Sequence, residues 1–365
     1  MLPLEVVAEL AARAGERDGA NGETYPAATI QELFESGFMG APFESVEGGS
    51  DWSCLDAATA IETLAARSPS AALIAAMPLG LAGVSAEIGP VVPPGSRTTW
   101  DEQVAALAAN FRAGKHYAAC NSEAGAGGSL DATKTIARKS PDGWRLSGAK
   151  ILASGGARAD VFFSTGKVTQ EDLPGAGVVE FFFIPTAAPG VTIAEDWDGF
   201  GMRSTESQSV QYEDAPASGM WGFPNLIEVA QPLSYWFCLF AAIPLGCATG
   251  LLGLMTSPSP SSPAMRLRLA DARMKQEALS AYLHETARAW RPAAGPDYAG
   301  RVLRMKSHVS SEATKLCAEL FALSGGRHYR RGDQAARLLA DSFAGTALRP
   351  PLALALDGLV GQFDA

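Results

Sequence analysis

The forty residues from Asn121 to Asp160 constrain the fold of this chain more than any other part of it. They read NSEAGAGGSLDATKTIARKSPDGWRLSGAKILASGGARAD. An acidic, glycine-rich turn leads into a strand of alternating charges. An Asp142-Gly143 turn follows, then a second strand that closes on Ser154-Gly155-Gly156. Strand, Asp-Gly, strand is a strong short-range hairpin signal. Glycine carries no Cβ, so turns of this kind let backbone N–H groups approach a flat or phosphorylated ligand directly.

The same short-strand pattern continues downstream. DVFFSTGKV, GVVEFFFIP, GVTIAEDW and SQSVQYEDA are separated by Gly, Pro and Asp. Residues 118–222 are therefore expected to form a compact β-barrel or sandwich domain. On either side the periodicity is helical. Residues 1–117 are Ala-rich, as in LDAATAIETLAARSPSAALIAAM, and are broken by a turn at Glu47-Gly48-Gly49. Residues 223–365 hold four helical stretches, separated in part by the Pro/Ser loop SPSPSSPA at 257–264. The expected fold class is α+β multidomain: an N-terminal α-helical domain, a central β domain and a C-terminal four-helix bundle.

A chain of 365 residues, 47% hydrophobic, has ample material for such cores. Its net charge of −10, with 29 basic residues in no long run, excludes nucleic acid as a partner. The five cysteines form no CxxC pair and the four histidines no metal-ligand spacing. Reduced thiols, a cytoplasmic setting and no metal site are expected. The N-terminal stretch MLPLEVVAELAARAGERDG reads as an amphipathic helix with acidic residues, unlike a signal peptide. Tyr235 to Met255 runs 21 residues without a charge. Its Pro244 and its glycines at 246, 250 and 253 favour a core helix approached closely by its neighbours over a membrane span.

Each motif taken alone has a plain reading. Gly125-Ala126-Gly127-Gly128 lacks the third glycine of a dinucleotide fingerprint, since Leu130 stands there. Gly325-Gly326 after a helix is most often a C-cap. Their order and spacing say more. Ser122-Glu123-Ala124-Gly125-Ala126-Gly127, then Leu146-Ser147-Gly148-Ala149-Lys150 and Ala159-Asp160, are followed by Gly201-Met202-Arg203-Ser204-Thr205 and Tyr212-Glu213-Asp214-Ala215-Pro216. Leu323-Ser324-Gly325-Gly326 and Asp341 complete the set. This set resembles the acyl-CoA dehydrogenase family of flavoproteins, from about residue 20 to 360.

The resemblance implies an FAD site. Ser122 falls where a hydroxyl bonds a flavin carbonyl. Gly127, Gly128 and Ser129 fall where the backbone nears the pyrophosphate. Leu152 replaces a tryptophan that flanks the ring, and Ser154 replaces a threonine beside its reactive nitrogen. The far half of the family site is depleted. The Arg-x-x-Phe-Gly loop is missing, Ala322 stands in place of a glutamine, and Pro351 and Ala353 replace Thr-x-Gln. A homodimer or homotetramer is implied, because the family's cofactor site spans two subunits.

The family's base is absent. The glutamate expected eight positions after Asp341 is Arg349, and the alternative position on the first bundle helix is Trp236. A guanidinium stays protonated at any working pH and removes no α proton. No catalytic residue is identified, and Arg349 and Trp236 stand as candidate pocket residues for a small-molecule substrate, an acyl-CoA among the possibilities. The cluster Arg327, His328, Arg330 and Arg331 fits either phosphate contacts or a solvated turn. Three functions stay open: a dehydrogenase with another carboxylate, a flavin-dependent monooxygenase of the same fold, or a non-catalytic homologue or partner subunit.

Overall fold

A computed structural model describes residues 2–20, 23–257 and 260–360. Residues 258 and 259 of the Pro/Ser loop lie outside that set. The chain opens with five helices: α1 (Leu4–Ala20), α2 (Ala27–Glu35), α3 (Cys54–Ala65), α4 (Pro69–Glu87) and α5 (Arg97–Arg112). The start of α3 is set by a capping box. The Ser53 hydroxyl accepts from the Asp56 N–H, and the Asp56 carboxylate accepts from the Ser53 N–H.

Eight strands follow: β1 (Tyr117–Ala119), β2 (Ile136–Ser140), β3 (Gly143–Ala153), β4 (Val161–Lys167), β5 (Val179–Pro185), β6 (Val191–Ile193), β7 (Gln208–Ala217) and β8 (Gly219–Met220). They form one curled sheet in the order β6-β7-β3-β2-β4-β5-β8, with β1 added in parallel to β4. Ser140 pairs with Gly143, so the β2–β3 turn residues are Pro141 and Asp142. Gly143 opens β3 at φ 120°, a conformation glycine tolerates and other residues avoid, which is why the hairpin signal falls one residue late. The strands enclose their own small core around Phe162, Phe182, Leu146 and Tyr212. The short β1 and β8 carry no alternation long enough to be read in the sequence.

The remaining helices are α6 (Leu226–Ala230), α7 (Leu233–Thr256), α8 (Pro263–Arg288), α9 (Pro296–Ser324), α10 (Gln334–Ser342), α11 (Ala344–Ala347) and α12 (Leu352–Val360). The bundle is α7 to α10, and α7 is its axis, packed on α8, α9 and α10 and also on α3 and α4. Two glycines make that close crossing possible: a Cβ on Gly246 would sit 2.4 Å from the Glu62 carbonyl, and one on Gly250 2.3 Å from that of Ala66. The charge-free α7 is thus a core helix, as its composition implies. A second such helix, α4, was not singled out in the sequence because polar Ser70 and Ser85 punctuate it; 94% of its apolar window is buried. One continuous apolar core joins α3, α4, α7 and α9, so the first and last helical regions pack as one layer behind the sheet.

Candidate active site

Where that helical layer meets the sheet it leaves a cavity of about 300 Å³, near the lower end of the range of small-molecule sites. The sheet contributes Asn121, Ser122, Leu152 and Ser154 to its lining. The helix α7 contributes Trp236 and Phe240, the loop after β6 contributes Trp197 to Met202, and the turn around α11 contributes Phe343, Leu348 and Arg349. The two residues most able to plug the space, Leu152 and Trp236, stand on its wall and leave it open.

Each wall has a local cause. Ile151 N–H donates to the Ser122 carbonyl at 2.9 Å, tying the glycine-rich turn to β3. One residue later β3 bulges against β7, between Lys150 and Ala153, and Leu152 adopts φ 60°. A left-handed leucine costs about 1–2 kcal/mol, and bulges of this kind re-aim a side chain. Here the bulge leaves the Leu152 side chain on the cavity wall, half exposed. The opposite loop is stapled by Asp341, whose carboxylate accepts from the Met202 N–H at 2.5 Å. Burial pushes Asp341 up to about 6, and the Met202 N–H opposes that rise. Gly201 lies so close to α10 that a Cβ would sit 2.3 Å from the Ala340 carbonyl.

Polar chemistry in the cavity is sparse. Ser154 Oγ lies 2.9 Å from Ser207 Oγ, which lies 2.6 Å from Thr205 Oγ1. Thr205 in turn donates to the Met202 carbonyl at 2.8 Å. With that donation in place Ser207 gives its proton to Thr205, and Ser154 gives its own to Ser207. Ser154 then offers the cavity an acceptor. Trp236 donates to the Met77 carbonyl at 3.3 Å and stacks on Phe163, so it is a wall residue.

Arg349 is the only ionisable side chain on the lining among the described residues. Its Nη2 reaches one acceptor, the Asn121 carbonyl, at 3.5 Å. Burial lowers the guanidinium to about 10 while the Glu123 carboxylate opposes the fall, so it remains a cation at neutral pH. Among the described residues no carboxylate, imidazole, thiol or amine lines the space, and neither family position holds a base.

The structure brings Ser122, Leu152, Ser154, Trp236 and Arg349 together, and leaves Gly127, Gly128 and Ser129 off the lining. Gly125, Gly127 and Gly128 all have positive φ. Where Gly128 was expected to approach a pyrophosphate, its missing Cβ instead makes room for Pro351, 2.5 Å from that Cβ position. Gly127 faces open space. Sequence reasoning missed Asn121, Trp197, Ser207 and the Thr205 hydroxyl behind it. Nothing in the run STESQS marks one serine above the others.

Two family models match the chain: the acyl-CoA dehydrogenase N-terminal domain over residues 5–89 and the acyl-CoA dehydrogenase middle domain over residues 118–215. The chain belongs to the acyl-CoA dehydrogenase family. A probable acyl-CoA dehydrogenase of Bacillus subtilis is 25% identical over 332 residues, covering 87% of this chain and 84% of that protein. Butyryl-CoA dehydrogenase from Megasphaera elsdenii superimposes with a TM-score of 0.83 at 22% identity, over 99% of this chain and 98% of that one. A structure of TdsC, the dibenzothiophene monooxygenase of Paenibacillus sp. A11-2, in complex with FMN and indole gives 0.82 at 21% identity, over 99% and 96%. This acyl-CoA dehydrogenase family member thus shares its fold with dehydrogenases and with a monooxygenase.

Proposed function

We propose that this chain is a flavin-dependent oxidoreductase of the monooxygenase kind, acting on a small apolar or aromatic substrate. The observation that carries this reading is a cavity lining that, among the described residues, holds one guanidinium and no proton acceptor of carboxylate strength. Abstraction of an α proton needs a base within hydrogen-bonding reach of the substrate. Oxygen transfer from a flavin does not ask that of the protein.

The residues present fit the ring end of a flavin. Ser122, Asn121 and Ser154 supply polar atoms on the sheet side, and Leu152 and Trp197 supply apolar surface. The distal end has little to hold it: the Arg-x-x-Phe-Gly motif is missing and Pro351 fills the room beside Gly128. FMN is accordingly the preferred form over FAD. A bound flavin would supply redox chemistry, either hydride acceptance or dioxygen activation. The chain's own residues then have limited tasks. Ser154 holds an acceptor toward the ring, backed by Ser207 and Thr205. Arg349 binds negative charge on the reduced ring or the substrate. Phe163, Trp236 and Phe240 exclude water.

The test is reconstitution with FMN and with FAD, followed by two assays. With reduced FMN supplied by a reductase, substrate-dependent oxygen uptake is expected across a panel of aromatic compounds. Under anaerobic conditions, acyl-CoA thioesters are expected to leave the oxidised flavin spectrum unchanged. Bleaching by a thioester would overturn the reading in favour of dehydrogenation, and failure to take up either flavin would favour a non-catalytic homologue.

A further inference from the structure

Lys306 lies in the middle of α9, 1% exposed, and takes part in no ion pair among the described residues. Its three N–H bonds have three acceptors: the carbonyls of Gly345 at 2.9 Å, Leu348 at 2.6 Å and Pro350 at 2.6 Å. These carbonyls belong to α11 and the turn that leaves it, the segment that carries Arg349. A helix end leaves its last carbonyls without intrahelical partners, and a cation meets that need. Among the described residues Arg349 itself has only the 3.5 Å contact to the Asn121 carbonyl. The place of its guanidinium is therefore set by its backbone, and the backbone is set by Lys306.

We propose that Lys306 is a positioning residue: its ammonium gathers the carbonyls on both sides of Arg349 and so fixes the one charge in the cavity. The cage demands the cation. A neutral amine has two N–H bonds and a lone pair, so one of the three carbonyls would face a lone pair. Burial alone draws the Lys306 ammonium down to about 7, and the three short carbonyl contacts act in the opposite sense.

The inference rests on Arg349 facing the cavity and not on a flavin, so its test uses none. The probe is 1-anilinonaphthalene-8-sulfonate, an apolar aromatic anion, titrated against the full chain. Arg349→Met is expected to weaken its binding about tenfold, the loss of one charge-assisted contact. Lys306→Met is expected to weaken it to the same extent, and the double variant no further than Arg349→Met alone. Amide hydrogen exchange in residues 343–351 is expected to rise in Lys306→Met while α7 and the sheet keep their protection. Additive losses in the double variant, no loss in Arg349→Met, or unchanged exchange in 343–351 would each overturn the proposal. Should Lys306→Met not fold, the unmodified chain with ¹⁵N-lysine still answers. Two slowly exchanging ammonium resonances are expected, one from Lys306 and one from the equally buried Lys150, and absence of the Lys306 resonance would sink the cage.

Discussion

Lys150 Nζ lies 2.7 Å from Glu123 Oε1, with both side chains withdrawn from solvent. Lys150 completes its shell with the Thr165 carbonyl at 2.7 Å and the Thr165 hydroxyl at 3.2 Å. Glu123 completes its own with the N–H groups of Lys134 and Thr135. The pair ties the glycine-rich turn that carries Ser122 to β3, to the start of β2 and to the second half of β4, and so holds the sheet side of the cavity. Burial lowers the Lys150 ammonium from its ordinary value, the direction desolvation imposes on a cation. The Glu123 carboxylate, which accepts from Lys150 and from two backbone N–H groups, opposes that fall.

Breaking this pair from one side strands a buried charge. Lys150→Met is expected to destabilise the fold by about 3–5 kcal/mol, read from denaturant unfolding. Burial raises Glu123, but Lys150, Thr135 and the Lys134 N–H outweigh it and bring the carboxyl down to about 2. A carboxyl lowered on folding stabilises above its unfolded value near 4.5 and loses that contribution as pH falls toward 2. Acid titration of the unmodified chain should show this loss, and Glu123→Gln should remove it.

The serine pair makes a second expectation. Ser207 lines the cavity beside Ser154, which it turns into an acceptor. Ser154→Ala and Ser207→Ala are each expected to weaken reduced-flavin binding by about 0.5–1.5 kcal/mol, the net worth of one hydrogen bond. The double variant should lose little more than either single one. Equal weakening of the oxidised flavin would show that the direction of the hydroxyl chain is immaterial.

Gly80 is the counterpart of Trp236. A Cβ on Gly80 would sit 2.2 Å from the indole Nε1, so the wall residue needs that glycine to lie flat against α4. Gly80→Ala is expected to displace the indole, break its bond to the Met77 carbonyl and cost about 1–3 kcal/mol. A shift in tryptophan emission and reduced ligand uptake should accompany the lower melting temperature.

The order of domains was legible because hydrophobic period and turn chemistry agree over long stretches. In α7 the absence of charge and the small residues at 246 and 250 announced a core helix crossed closely by α3. The site was half legible. Ser122, Leu152 and Ser154 were reached through the family resemblance of the glycine-rich turn and the strand after it, and all three stand on the cavity wall. Lys306 and Ser207 were not reached. A lysine on an otherwise amphipathic helix reads as solvated, and only the folding of residues 345–350 back over α9 buries it. Gly128 shows a related limit: a missing Cβ announces a close neighbour, here Pro351, without saying whether a ligand also approaches the backbone.

Arg349 yields the last expectation. A cation binds an anion while it keeps its proton, and burial brings this guanidinium down to about 10. Binding of an aromatic carboxylate such as 2-naphthoate should therefore be level from about pH 6 to 9 and fall as pH rises through about 10. Arg349→Met should weaken binding by about 1.5–3 kcal/mol and abolish the alkaline fall. Calorimetric titration across that range checks both. A decline already present between about pH 6 and 8, or one that survives in Arg349→Met, would mean that another group anchors the anion.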